Sequence, residues 1–375
     1  MEMMRQLIAI PSISCTNPAL DQGNRQVIDT LATWLEDLGF STEIQSLEAT
    51  GNKANLIATY GPGKNGLVLA GHTDTVPYDQ EQWHSDPFRL TETDSRLYGL
   101  GTSDMKAFFA LVLEAIQGLD LSQLKQPLTV LATADEETSM SGARAVQGAQ
   151  LRAARFAVIG EPTGLRPVRM HKGMMMEAIR LTGASGHSSN PALGHNALDA
   201  MHRVITMLMQ WRARLQQRYH NALFEIGEPT LNLGCIHGGD NPNRICGQCE
   251  LQIDIRPLPG MALTDLYHEL EHCVQTAMAG SQIDYQLRNL LDAVPALETP
   301  VDSTLVKATE GFTDSTAEAV AFSTEAPFYR ELGLDVVVLG PGQIEQAHQP
   351  DEFLALEQIE PTVKVIRQLV GQFCM

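Results

Sequence analysis

Two imidazoles and five carboxylates stand in this 375-residue chain where short apolar runs give way to turns. Residues 67–70 run into Gly71-His72-Thr73-Asp74, and 128–132 into Asp135-Glu136-Glu137. Residues 156–159 lead to Gly160-Glu161-Pro162, and 336–339 to Gly340-Pro341-Gly342 and then His348. Asp104 lies between the Gly99–Gly101 turn and a helical pattern. Imidazole mixed with carboxylate is the donor set of zinc or cobalt rather than of calcium or magnesium. The set is also too rich for one ion. With Asp104 bridging, one cation could take His72 and Glu161 and a second could take Glu137 and His348, leaving positions for water or substrate. Such a pair polarises a carbonyl and lowers the pKa of a shared water, so the expected chemistry is metal-assisted hydrolysis.

Each residue alone has an ordinary explanation. Asp104 could cap a helix, Glu136 and Glu137 could line a solvated turn, and His348 could be a loop histidine. The reading rests on the repeated coincidence at strand ends. His72 and Asp74, two apart on an extended segment, face the same side, which lets Asp74 accept a hydrogen bond from the ring nitrogen not used for metal. Neighbouring Glu136 and Glu137 point different ways, so one of them is left for general-base work.

The elements that must position these residues follow from apolar periodicity. Residues 20–38 read as an amphipathic helix ending at Gly39, and 55–58, 67–70, 128–132, 156–159 and 336–339 as strands buried on both faces. Residues 105–116 form a helix apolar nearly all round. This alternation predicts an α/β fold with a mostly parallel sheet covered by helices on both faces. In such sheets ligands bind at the carboxyl ends of the strands. The middle of the chain has another rhythm: strand 176–181, helix 196–217, strands 230–236 and 250–255, helix 263–279, strand 283–287. That order, β-α-β-β-α-β, is ferredoxin-like. It predicts an inserted lid or dimerisation domain, 177–286, between catalytic segments 1–176 and 287–375.

A net charge of -19, from 26 Lys and Arg against 45 Asp and Glu, argues against nucleic acid and anionic membrane partners. No run approaches the roughly 20 apolar residues of a membrane span, and residues 1–14 lack the pattern of a signal peptide, so a cytoplasmic location is expected. Six scattered cysteines suit free thiols. Cys246 and Cys249 form a C-x-x-C without a second ligand pair, which favours buried thiols over a structural zinc. The segment 183–187 is not G-x-S-x-G, and neither a P-loop nor a complete dinucleotide fingerprint is present.

Several motifs together carry a family likeness. They are Gly71-His72-Thr73-Asp74-Thr75-Val76-Pro77, Gly99-Leu100-Gly101-Thr102-Ser103-Asp104-Met105-Lys106, Asp135-Glu136-Glu137-Thr138-Ser139-Met140, Gly160-Glu161-Pro162-Thr163, His171-Lys172-Gly173, Ser185-Gly186-His187-Ser188-Ser189, Asp254-Ile255-Arg256-Pro257-Leu258-Pro259-Gly260, Leu339-Gly340-Pro341-Gly342 and Ala347-His348. With them the chain resembles, over essentially its whole length, the dinuclear zinc family of aminoacylases, carboxypeptidases and amino-acid deacetylases. The resemblance implies two Zn2+ per subunit, with Co2+ able to substitute, on His72, Asp104, Glu137, Glu161 and His348. It implies Glu136 as the proton shuttle and a cis peptide after Asp104. It also implies a homodimer through the inserted domain, in which His187 reaches the partner's site to stabilise an oxyanion. The substrate class is then a small N-acyl amino acid such as N2-acetylornithine, deacetylated in arginine biosynthesis. Desuccinylation of N-succinyl-diaminopimelate, broad N-acyl amino acid hydrolysis, and metal binding without catalysis are the alternatives.

Arg256 and Asn243, near the ends of lid strands, are candidates for the substrate's α-carboxylate, with pairing of Arg256 to Asp254 or Asp240 as the competing expectation. Gly340 and Gly342 could give the same carboxylate close backbone approach. Met174–Met176 are assigned to core packing.

Overall fold

The computed structural model describes residues 1–375, which divide into two compact units. The first comprises Met1–Arg169, Thr299–Glu318 and Thr324–Met375, and the second Met170–Glu298 with Ala319–Ser323. The insertion therefore starts at Met170 rather than 177 and ends at Glu298 rather than 286. Met170 packs into the second unit's core and Ala293 lies against it, although neither belongs to the periodic strand and helix pattern that set the expected boundary.

In chain order the elements that matter below are α1 (Arg25–Asp37), β1 (Ser41–Ser46), β2 (Ala54–Tyr60), β3 (Gly66–His72), α2 (Lys106–Gln117), β4 (Leu128–Thr133) and β5 (Ala154–Pro162). The inserted unit contributes β6 (Met175–Thr182), α3 (Ala197–Arg218), β7 (Thr230–Gly238), β8 (Gln248–Arg256), α4 (Leu263–Met278) and β9 (Asp284–Asn289). The chain ends with β10 (Asp335–Gly340) and α5 (Ile359–Cys374).

The first unit is built on the strand order β1-β2-β4-β3-β5-β10. β3 runs parallel to β4 and β5, and β5 parallel to β10, while β2 is antiparallel to both β1 and β4. Every residue of β3, β4 and β10 is buried, as uninterrupted apolar runs require, and the core joins these strands to α1, α2 and α5. In α1, Val27, Ile28, Leu31 and Leu35 form the buried stripe, and Gly39 follows at φ +88°. Two elements carry weaker signals. β1 is an edge strand of exposed and half-buried residues, none of them buried, and α5 is an amphipathic helix whose apolar face closes the core with Val363, Ile366, Leu369 and Val370.

In the second unit the strands lie in the order β7-β8-β6-β9, all antiparallel, the arrangement expected of a ferredoxin-like β-α-β-β-α-β chain. α3 and α4 pack Leu208, Trp211, Leu270 and Val274 onto Ile179, Ile253 and Ile255. Asn196 starts α3 by accepting from the N–H groups of Leu198 and Asp199. Met175 belongs to this core. Cys246 and Cys249 are buried free thiols, and burial raises Cys249 to about 11. No helix of the chain is long and apolar enough to cross a membrane.

Candidate metal centre

His72 is the last residue of β3, and Glu161 is the penultimate residue of β5. Glu137 follows β4 in a turn, and His348 follows β10 after the 3-10 turn Ile344–Gln346. All four thus stand at carboxyl ends of the first unit's sheet, and Asp104 joins them from the loop before α2. The Asp104–Met105 peptide is cis. Asp104 makes no capping bond to α2, whose N-cap position is Met105.

The side chains form an unbroken alternating run. Glu161 Oε2 lies 3.9 Å from His72 Nε2, which lies 3.0 Å from Asp104 Oδ1. Asp104 Oδ2 is 3.7 Å from His348 Nε2, which is 2.9 Å from Glu137 Oε2. Asp104 therefore turns one oxygen toward each imidazole. His72 and Glu161 fall on one side of it, Glu137 and His348 on the other.

Support from below fixes these directions. His72 Nδ1 is 3.0 Å from the main-chain carbonyl of Asp74 and 3.6 Å from its carboxylate, so the nearer acceptor is the carbonyl, not the side chain expected from spacing. The Asp74 carboxylate instead accepts the N–H groups of Glu136 (3.3 Å) and Glu137 (3.1 Å). It ties the His72 segment to the turn that presents both glutamates. That turn is held a second time at Asp135, where φ is +59° and the carboxylate accepts from Ser14, Lys53 and Ser141. Glu352, 1% exposed, accepts from the N–H groups of Gly101, Ser103 and Asp104 at 2.6–3.0 Å and so shapes the Asp104 loop. Nothing in the neighbouring sequence distinguishes Glu352 from an ordinary loop acid. Lys106 is different: fully buried, it donates to the Ile10 carbonyl at 2.9 Å. A single lysine opening an otherwise apolar helix was the signal for it.

The electrostatics show a surplus of negative charge out of water. Burial raises Glu136 well above the carboxylate range, and Glu161 adds to the effect. Burial likewise raises Glu161; His72 relieves part of this, while Asp104 and Glu325 add to it. Glu325, buried beside Tyr329, rises to about 7 for the same first reason. Burial presses His72 toward its neutral form, yet the Asp104 and Asp74 contacts hold it well above 6.5. The Glu137 hydrogen bond raises His348 to about 9 against the opposing effect of burial.

This donor set fits divalent cations. Ligand atoms of His72, Asp104 and Glu137 all lie within 4.8 Å of one another, close to twice a metal–ligand distance of about 2.0–2.2 Å. Glu161 Oε1 is buried with no hydrogen-bond partner, an acceptor whose burial is costly until something positive meets it.

The remaining candidates are not members of this run. In the second unit His187 is bridged to Arg244, and the Ser188 N–H donates to the Asn243 carbonyl at 3.0 Å. The Ser189 N–H donates to His187 Nδ1 at 3.2 Å, so that nitrogen carries no proton and Nε2 is the ring's donor. Arg256 is paired with Asp254 at 3.0 Å. Gly340 donates to Thr163 Oγ1 and Gly342 to Gln358 Oε1. A side chain at either glycine would collide with Gly160 or Ser103, a packing reason that is independent of any ligand.

The chain is similar to known proteins along essentially its whole length. The profile of peptidase family M20/M25/M40 matches residues 68–372. An acetylornithine deacetylase of Edwardsiella ictaluri is 51% identical over 372 residues, covering 99% of this chain and 97% of the relative. One of Pasteurella multocida is 50% identical, covering 100% and 98%. Among solved structures, an M20-family metallo-carboxypeptidase from Sulfolobus solfataricus superposes with a TM-score of 0.76 at 18% identity, over 99% of this chain and 98% of that one. A dinuclear metal-binding peptidase of the M20 family from Bacillus subtilis gives 0.71 at 16% identity, over 99% and 97%. On the profile match and the full-length likeness together, this chain belongs to peptidase family M20/M25/M40.

Proposed function

We propose that the chain is a metal-dependent amide hydrolase that converts N2-acetylornithine and water into ornithine and acetate, a step of arginine biosynthesis. The observation that carries this is the run Glu161–His72–Asp104–His348–Glu137, with Asp104 between the two imidazoles. The half-identical relatives supply the substrate. In this reading His72, Asp104 and Glu161 would hold one zinc ion and Asp104, Glu137 and His348 the other, with cobalt able to replace either. Such a pair, when bound, supplies Lewis acidity toward an amide carbonyl and an acidified water.

The chain's own groups do the rest. Glu136 accepts a proton from the attacking water as the oxygen–carbon bond forms, then delivers it to the amine nitrogen as the carbon–nitrogen bond breaks. Its burial favours holding that proton in between. Asp74, through the two N–H groups it accepts, keeps Glu136 and Glu137 turned in different directions. Arg256 and Asn243 are assigned to the substrate's α-carboxylate.

A second copy of the chain is part of the reading. β7 is an edge strand, Ile236 on it is 48% exposed, and Leu198 and Met209 on α3 are 45% and 48% exposed. An open edge beside apolar side chains suits pairing between copies. His187, with Nε2 as donor, is the group that would serve the partner's developing oxyanion. Six cysteines without a disulfide suit a reducing compartment, and we place the enzyme in the cytoplasm.

Glu136→Gln tests the assignment. Purified with its metals quantified, it is expected to retain both ions and lose turnover of N2-acetylornithine by about 10²–10⁴-fold; normal turnover would end the proposal. Parallel assays with N-succinyl-diaminopimelate and N-acetylmethionine decide between deacetylation of ornithine, desuccinylation and broad hydrolysis.

A further inference from the structure

Within the first unit a cavity of about 480 Å3 opens beside His348. Leu20, Val76, Tyr78, Asp79, Trp83 and Leu100 form much of its wall. The loop that supplies most of these residues is fastened to the His348 loop: the His84 N–H donates to Asp351 Oδ1 at 2.9 Å, and its Nδ1 lies 2.5 Å from Oδ2. Tyr78 stands edge-on to Phe88, with ring centroids 5.3 Å apart. The Gln82 side-chain amide donates to Asp79 Oδ2 at 2.8 Å, and the Gln82 N–H donates to the Asp79 carbonyl. Apart from the His348 imidazole, Asp79 is the only ionisable acid or base other than the Tyr78 phenol in the lining, which contains no lysine or arginine.

An N-acyl amino acid whose amide lies at the metal centre has three branches to place. An acetyl methyl is far too small for this cavity, since a water molecule's share of liquid volume is only about 30 Å3. An α-carboxylate would meet Asp79 and find no lysine or arginine. The amino-acid side chain remains. Leu20, Val76 and Leu100 suit an aliphatic stem, while Asp79 with the ring faces of Tyr78 and Trp83 suits a terminal cation.

We propose that this cavity is the side-chain subsite of the reaction assigned above, and that Asp79, with Tyr78 and Trp83, is what receives the terminal ammonium there. This rests on the N-acyl amino acid reading above and deepens it. The same wall disfavours substrates that would bring a carboxylate to this position.

The test compares kcat/KM for N2-acetylornithine with that for N-acetylnorleucine, in which a methyl replaces the ammonium, in the metal-loaded full chain. Asp79→Asn is expected to lower the ornithine-to-norleucine ratio about five- to tenfold, mainly through KM. Asp79→Glu should restore most of it. Trp83→Leu, which keeps an apolar wall, should lower the ratio about two- to fivefold. Metal content confirms that each variant is assembled. A ratio that Asp79→Asn leaves unchanged, whether because both substrates suffer equally or because neither does, overturns the subsite and leaves the hydrolase standing. Wild-type protein that holds its metals and hydrolyses neither substrate overturns the parent reading and the subsite together.

Discussion

The two units bury different things. The first places His72, Asp74, Asp104, Lys106, Glu161, Glu325 and Glu352 out of water, and most of them hold one another in place. The second packs an apolar core around Trp211, Leu208, Leu270 and Ile255 and buries fewer ionisable groups, His171, Lys172 and Glu177 among them, and its candidate chemistry, His187 and Asn243, sits on exposed loops. Buried charge is tolerated only where partners or cations answer it. On the proposed function the first unit is organised around its metal ligands and the second is not, so lesions in the two should read out differently.

The largest separation is expected from Asp104→Ala. It removes the group between both imidazoles, so metal content and activity should disappear together; a variant retaining two ions by elemental analysis would break the contrast. His187→Ala should leave metal content intact and lower kcat by about 10²–10³-fold, the usual cost of one oxyanion donor. Loss of metal in that variant would mean that the second unit also shapes the centre.

Proton release on metal uptake sharpens the contrast further. In the metal-free site the Glu137 contact raises His348 from 6.5 to about 9, and coordination needs the neutral ring. Metal affinity should climb as pH rises from 7 toward 9, with protons released on binding that calorimetry in two buffers would count. In the metal-free chain the same protonated pair contributes stability that is fully present below 6.5 and lost as pH rises through about 9. The smallest effect belongs to the second unit's thiols. Cys246→Ser with Cys249→Ser should leave metal stoichiometry unchanged, costing only core packing; a lost equivalent of metal would make the C-x-x-C a ligand pair after all.

Legibility in the sequence follows the same division. β3, β4, β5 and β10 were readable because strands buried on both faces must be unbroken apolar runs, and His72, Glu137, Glu161 and His348 were readable because they interrupt such runs at one end. The second unit's strand and helix order was readable from period alone. β1 was not, because an exposed edge strand carries no apolar signature. Glu352 and Asp135 were not, because their work is to accept main-chain N–H groups, hydroxyls and an ammonium from partners distant in sequence. Asp74 was half legible: its carboxylate lies 3.6 Å from the imidazole on the expected side, and its hydrogen bonds to the glutamate turn, made to partners distant in sequence, left no signal.

One proposed ligand arrives late. His72, Asp104, Glu137 and Glu161 all precede the inserted unit in the chain, and His348 comes only after it. In the proposed dinuclear site four donors would therefore be available during synthesis well before the fifth, and a cation near Glu137 would lack its imidazole until the last segment is in place. Closing that coordination shell ties the two halves of the first unit across the whole length of the insertion, a long loop whose entropic penalty grows only logarithmically with its size. Metal capture would then act as the clasp that finishes assembly.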